Sequence, residues 1–97
     1  MYLNAGCERE YRARHDAIWP ELVALLGGVG ISNYSIFFDA ETNVLFAYLE
    51  RRDDLSMESL SSDPIMRRWW GAMKDVMRTT SDGSPVAIPL SEAFHMT

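Results

Sequence analysis

Between Glu8 and Leu26, the side chains Tyr11, His15, Ile18, Leu22, Leu25 and Leu26 recur at steps of three and four. Glu8, Arg9, Glu10, Arg12 and Arg14 fill the opposite side. A period of 3.6 residues predicts a helix with one inward face. Gly27-Gly28 ends it, because glycine takes the left-handed cap without a Cβ penalty. Pro20 lacks an N–H and crowds the carbonyl of Asp16, which predicts a kink or a restart there.

The pattern then changes to a period of two. Ile31 to Phe38 reads as a strand, with Tyr34, Ile36 and Phe38 on one face and Asn33, Ser35 and Phe37 on the other. Asp39 to Asn43 is a polar turn, and Val44 to Glu50 is a second strand rich in Val, Leu, Phe and Tyr. Asp54 to Ser62 reads as a short helix with Asp53-Asp54 as a solvated entry. Asp63-Pro64 opens a further helix, Asp as N-cap and Pro at the first helical position. Its apolar stripe is Met66, Trp69, Trp70, Met73, Val76 and Met77, which predicts a helix to about Met77. Thr79 to Pro85 is loop, and Val86 to Met96 is extended, with Pro89 keeping its first part at an edge or outside the sheet. One strand before the first helix would complete a split βαβ, ferredoxin-like order. Only Met1 to Asn4 is available for it, so that strand is short.

Composition narrows the class. The 97 residues are 47% hydrophobic and 24% charged, the profile of a single folded domain spanning 1–97 rather than a disordered tail. Three Trp, four Phe, four Tyr and six Met are a heavy apolar load for this length, which predicts a homodimer. A net charge of -5 argues against nucleic acid and against an anionic membrane surface; an uncharged or cationic ligand fits better. Cys7 is the only cysteine, which excludes an internal disulfide and a zinc site built on paired thiols. No apolar run reaches the length of a spanning helix, and the N-terminus has no basic region leading into an apolar one, so the expected location is the cytoplasm.

Two features carry chemistry. His15 lies four residues after Tyr11 on the inward helix face. An imidazole can give or take a proton near neutral pH. The structural alternative is a core or interface histidine satisfied by a carbonyl, and on the residues alone that reading leads. Trp69-Trp70 is the second. Neighbours on a helix point about 100° apart, so one indole can fill the core while the other faces a cavity or a partner. Both may be read as packing, or as a platform for the apolar C–H face of a sugar whose hydroxyls would need donors and acceptors such as Tyr11, Tyr34 and Asn33. His95 with His15 makes a poor metal set, so no metal is expected. Ser84-Pro85, after Asp82-Gly83, reads as turn chemistry. No nucleotide loop, nucleophile elbow or glycosidase carboxylate pair is present.

The run from Glu10 to Leu22, with His15-Asp16-Ala17-Ile18-Trp19-Pro20-Glu21-Leu22 at its centre, closely resembles the first helix of the L-rhamnose mutarotase family. So do Asn33 to Phe37, Leu45 to Glu50, Arg67-Arg68-Trp69-Trp70 through Met77, Asp82 to Pro85 and Leu90 to Phe94. The resemblance runs in register over almost the whole chain, except that family members start with a longer first strand and this one reads as truncated. It implies an α+β, ferredoxin-like antiparallel sheet with two main helices on one face, dimerising through its sheets. It also implies a cofactor-free isomerase that interconverts the α and β anomers of L-rhamnose. By motif position His15 is the implied proton donor, and Tyr11, Tyr34, Trp69 and Trp70 are the implied substrate-binding residues. No role passes to Asn33, Asp75 or His95. Two rival classes share the fold: a small dimeric monooxygenase, and a non-catalytic sugar-binding dimer.

Overall fold

A computed structural model describes residues 1–52 and 57–97. The expected Asp53-Asp54 helix entry lies outside the described residues. Six elements follow in chain order: α1 (Glu8–Asp16), α2 (Pro20–Gly28), β1 (Ile31–Asp39), β2 (Val44–Arg51), α3 (Met57–Ser61) and α4 (Pro64–Met73).

The single helix expected over 8–26 is two. Proline forces the residue before it out of the helical region, and Trp19 is extended at φ -62, ψ 128. Pro20 then opens α2 at its first position, where its missing N–H costs nothing. In α1, Glu8 and Glu10 sit in the first turn and Arg14 and His15 in the last, which matches the helix dipole at both ends.

β1 and β2 pair antiparallel, with Phe37 opposite Phe46 and Phe38 opposite Leu45. The turn between them is held by Asp39, whose carboxylate accepts from the Glu41 N–H at 3.1 Å and the Thr42 hydroxyl at 2.8 Å. The register breaks between Ser32 and Ser35, around Asn33 at φ 50, a left-handed value that Asn tolerates better than most residues. The break changes which parity of residue points toward the helices. Ile31 is buried, and after the break Tyr34, Ile36 and Phe38 face the same cleft.

Residues at the N-terminus lie in the groove between β2 and the chain after α4. Tyr2 bridges Val44, and Leu3 bridges Met77, both antiparallel. Backbone bonds secure the segment on both sides: Leu3 N–H to Asn43 O at 2.8 Å, and Arg78 N–H to Tyr2 O at 3.0 Å. These are isolated bridges; the strands proper number two among the described residues.

Asp63 caps α4 as expected, accepting from the Ile65 N–H at 2.8 Å. The helix stops at Met73, not Met77. Val76 and Met77 are nevertheless buried, at 3% and 5% exposure. They join the core from a turn and a bridge to Leu3, so the apolar stripe is real while its last part is not helical. The extended segment expected over 86–96 forms no strand, and Ile88, Leu90, Phe94 and Met96 are exposed. The core is Leu3, Tyr11, Leu22, Leu45, Trp69 and Met73 together with Val76 and Met77. It sits between the inner face of the hairpin and helices α1, α2 and α4.

Candidate active site

One cleft of about 840 Å³ opens beside this core. That is within the range of small-molecule sites. All five of the residues singled out from the sequence line it: Tyr11 and His15 from α1, Tyr34 from β1, and Trp69 and Trp70 from α4. The helix period brings Tyr11 and His15 to one face, and their rings stack at 4.2 Å between centroids. The register break turns Tyr34 inward.

The His15 Nδ1 lies 2.9 Å from the Tyr11 carbonyl oxygen, one turn back on α1. A carbonyl can only accept, so this contact assigns a hydrogen to Nδ1. Nε2 is the ring nitrogen left outside this bond. His15 is bonded to a carbonyl, as the structural reading expected, and it also borders a cavity, as proton transfer to a ligand would require. Trp69 meets its ring edge-on at 5.4 Å and 87°. Trp19 meets Trp69 in turn at 5.2 Å and 83°. Imidazole orientation is thus fixed by a chain of rings that crosses from α1 to α4 and back to the residue before Pro20.

The two tryptophans differ. Trp69 is buried at 8% exposure, while Trp70 is only half-buried. Both touch the cleft, but Trp69 also belongs to the core.

Burial pushes the Tyr11 phenol well above its ordinary range, with a further push from nearby Tyr34. Burial also pushes Tyr34 up. As a residue Tyr34 is 43% exposed, so the sheltered part is the hydroxyl end in the cleft rather than the strand around it. Both phenols stay protonated at neutral pH and act as donors and acceptors of hydrogen bonds.

Sequence reasoning missed part of the wall. Ser84 and Pro85 line the cleft, although they read as turn residues. They are turn residues too: the Asp82 carboxylate accepts from the Ser84 N–H at 3.0 Å and from the Thr80 hydroxyl, and that folds the loop against the site. Arg12 and Asp16 also reach the cleft. Their i,i+4 spacing was the available signal. Asn33 does not line it; it serves the register break. Among the described residues no three His, Cys, Asp or Glu side chains gather as a metal site.

Comparison with known proteins agrees with this geometry. The family profile described as L-rhamnose mutarotase matches residues 1–96. An L-rhamnose mutarotase of Leptothrix cholodnii is 57% identical over 96 residues, covering 99% of this chain and 91% of the relative. One from Sinorhizobium fredii is 54% identical, covering 100% and 93%. The crystal structure of an L-rhamnose mutarotase from Formosa agariphila superposes with a TM-score of 0.91 at 46% identity, covering 100% of this chain and 93% of that one. With its family motifs gathered around one cleft, the chain belongs to the L-rhamnose mutarotase family, a family of isomerases.

Proposed function

We propose that this isomerase interconverts the α and β anomers of L-rhamnose, with His15 as proton donor at the ring oxygen. The observation that carries the reading is the convergence of His15, Tyr11, Tyr34, Trp69 and Trp70 on one cleft. A neutral monosaccharide suits it. Indole faces offer a surface for sugar C–H groups, and two un-ionised phenols offer hydrogen bonds to hydroxyls.

The reaction is proton transfer and positioning. The His15 imidazolium gives its Nε2 proton to the ring oxygen as the bond from C1 to that oxygen breaks. The proton on the C1 hydroxyl leaves to water, and C1 becomes an aldehyde. The open sugar turns about C1–C2. Neutral His15 then takes a proton from the C5 hydroxyl as its oxygen attacks the other face of C1, and water returns a proton to O1. The Nδ1 bond to the Tyr11 carbonyl keeps Nε2 aimed through both steps. No redox or metal chemistry enters this sequence. General acid–base catalysis by one placed group contributes about 10²- to 10⁴-fold.

The same reading includes a ferredoxin-like sheet and a homodimer. The bridges Tyr2–Val44 and Leu3–Met77 support the first, since they order the pieces as β1, β2, N-terminal segment, then the chain after α4. The outer face of the hairpin supports the second. Phe37, Phe46 and Tyr48 stand there at 61%, 46% and 52% exposure. A second copy related by a two-fold axis would cover them, burying at least about 1,200 Å² in all if stable. A cytoplasmic location accords with a single, unpaired cysteine. Among the described residues no helix is long and apolar enough to cross a membrane.

Anomer exchange of L-rhamnose followed by proton NMR tests the function. The parent protein speeds exchange and His15→Ala does not. A non-catalytic binder would shift anomer populations without changing the rate, and a monooxygenase would leave the sugar untouched.

A further inference from the structure

His15 and the Trp69–Trp70 wall sit on different helices, α1 and α4, which share the core through Tyr11, Trp69 and Met73. A polar link is added by Arg14, the residue before His15. Its guanidinium grips Asp75 with both arms, Nη1 to Oδ1 at 2.6 Å and Nη2 to Oδ2 at 3.0 Å. Nη1 also donates to the Ala72 carbonyl at 2.7 Å, and Nε donates to Glu10 at 2.8 Å. The Ala72 carbonyl is among the last four of α4, which have no partner inside the helix. One side chain therefore ends α4, orients the turn beyond it, and braces itself against its own helix.

We propose that the Arg14–Asp75 clamp is a positioning device for the reaction, holding α1 and its His15 in register with the Trp69–Trp70 wall on α4. The inference rests on the reading of His15 as proton donor. Arg14 touches no substrate; it acts through His15. A two-armed grip fixes direction as well as distance, which a single ammonium cannot do. Its contribution to stability is small, because ion pairs with a solvent-facing partner are weak, and the Asp75 side chain is 65% exposed. Its contribution to rate is larger, because misplacing a catalytic group by about 1 Å can cost 10²-fold. The Trp69–Trp70 wall rides on α4 and stays with the sugar, while Tyr11 moves with His15 on α1, so the loss falls chiefly on turnover and less on affinity.

The test compares Arg14→Gln, Arg14→Lys, Asp75→Asn, the double variant Arg14→Gln/Asp75→Asn, and His15→Ala, by NMR exchange rates over an L-rhamnose titration. Asp39→Ala, which loosens the hairpin turn far from the clamp, serves as the stability control. Arg14→Gln and Asp75→Asn are expected to lower kcat about 10-fold or more, with KM rising by a smaller factor because Tyr11 moves with α1. Lysine recovers part of the loss, and the double variant is no slower than the worse single one. Asp75→Asn keeps the size of an exposed side chain, so it reports even if Arg14→Gln folds poorly. Unchanged kcat in folded Asp75→Asn overturns the proposal, as does a loss confined to KM. An equal kcat loss in Asp39→Ala at matched melting temperature also overturns it. If His15→Ala loses turnover while the clamp variants keep it, the clamp fails and the proton-donor reading stands. If His15→Ala keeps turnover, the proton-donor reading fails, and the clamp with it.

Discussion

Truncating the two neighbouring tryptophans should break different things. Trp69 is 8% exposed and holds ring-edge contacts to His15 at 5.4 Å and Trp19 at 5.2 Å. Replacing such a residue by alanine costs about 3–5 kcal/mol. A domain of this length has roughly 5–15 kcal/mol in all. Each kcal/mol moves the midpoint of a small domain by about 4–8 °C, so Trp69→Ala should melt about 12–40 °C below the parent. Trp70 is half-buried against the edge of the core, so its removal should cost the fold less than that of Trp69. Trp70 lines the cleft, and under the proposed sugar-binding role a ring stacked on an aromatic platform contributes about 1–3 kcal/mol. Its loss should raise KM about 5- to 150-fold with kcat little changed. The assays are thermal unfolding by near-ultraviolet circular dichroism at fixed protein concentration, and NMR exchange over a sugar titration below the melt. A Trp69→Ala midpoint within about 5 °C of the parent would refute the assignment of Trp69 to the core. A Trp70→Ala midpoint lower than that of Trp69→Ala would refute the division of labour.

His15→Ala should lower kcat about 10²- to 10⁴-fold with KM within about 2-fold, since its proton matters mainly in the transition state. By light scattering at micromolar concentration the parent should run as a dimer and Phe46→Glu, which sets a charge on the outer sheet face opposite Phe37, as a monomer. Asp63→Ala removes the cap bond to the Ile65 N–H and should cost about 1 kcal/mol in urea unfolding. Asp75 and Asp82 are both held below the ordinary carboxylate range, Asp75 by Arg14 and Asp82 by the Thr80 and Ser84 hydroxyls. Their folded values lie below their unfolded ones, so the stability they add is complete above the ordinary range and fades as pH falls through it. Acid unfolding of Asp82→Asn should therefore show a shallower loss between neutral pH and pH 3 than the parent.

The site was more legible than the fold. Spacing put Tyr11 and His15 on one helix face, and alternation put Tyr34 with Ile36 and Phe38; that these join Trp69 and Trp70 was what the family resemblance implied, since spacing within a helix does not say which helices meet. Two boundaries were not legible. The stripe Met73, Val76, Met77 has the same spacing whether its end is a helix turn or a bend into a bridge, because both bury those side chains. The tail beyond Pro85 has strand-like composition, but a strand needs a neighbour, and a neighbour is a matter of tertiary contacts. Pro20 was legible as a breaker, yet only the extended backbone of Trp19 shows that it separates two helices. Arg14 could not be found from pattern at all. Its partner Asp75 is distant in sequence, and on a helical wheel it is one more solvated cation.

The break at Asn33 gives β1 two reading frames. Upstream of it the inward residue is odd, Ile31; downstream the inward residues are even, Tyr34, Ile36 and Phe38, and all four line the cleft. The strand thus feeds one cleft from two frames that are out of phase by one residue. A shift of pairing that starts in the first frame meets the irregular step before it reaches the second, so the step acts as a buffer between them. Deleting Asn33 would merge the frames. Either Ile31 or Tyr34 would then have to face the wrong side, and the cleft would lose part of its wall.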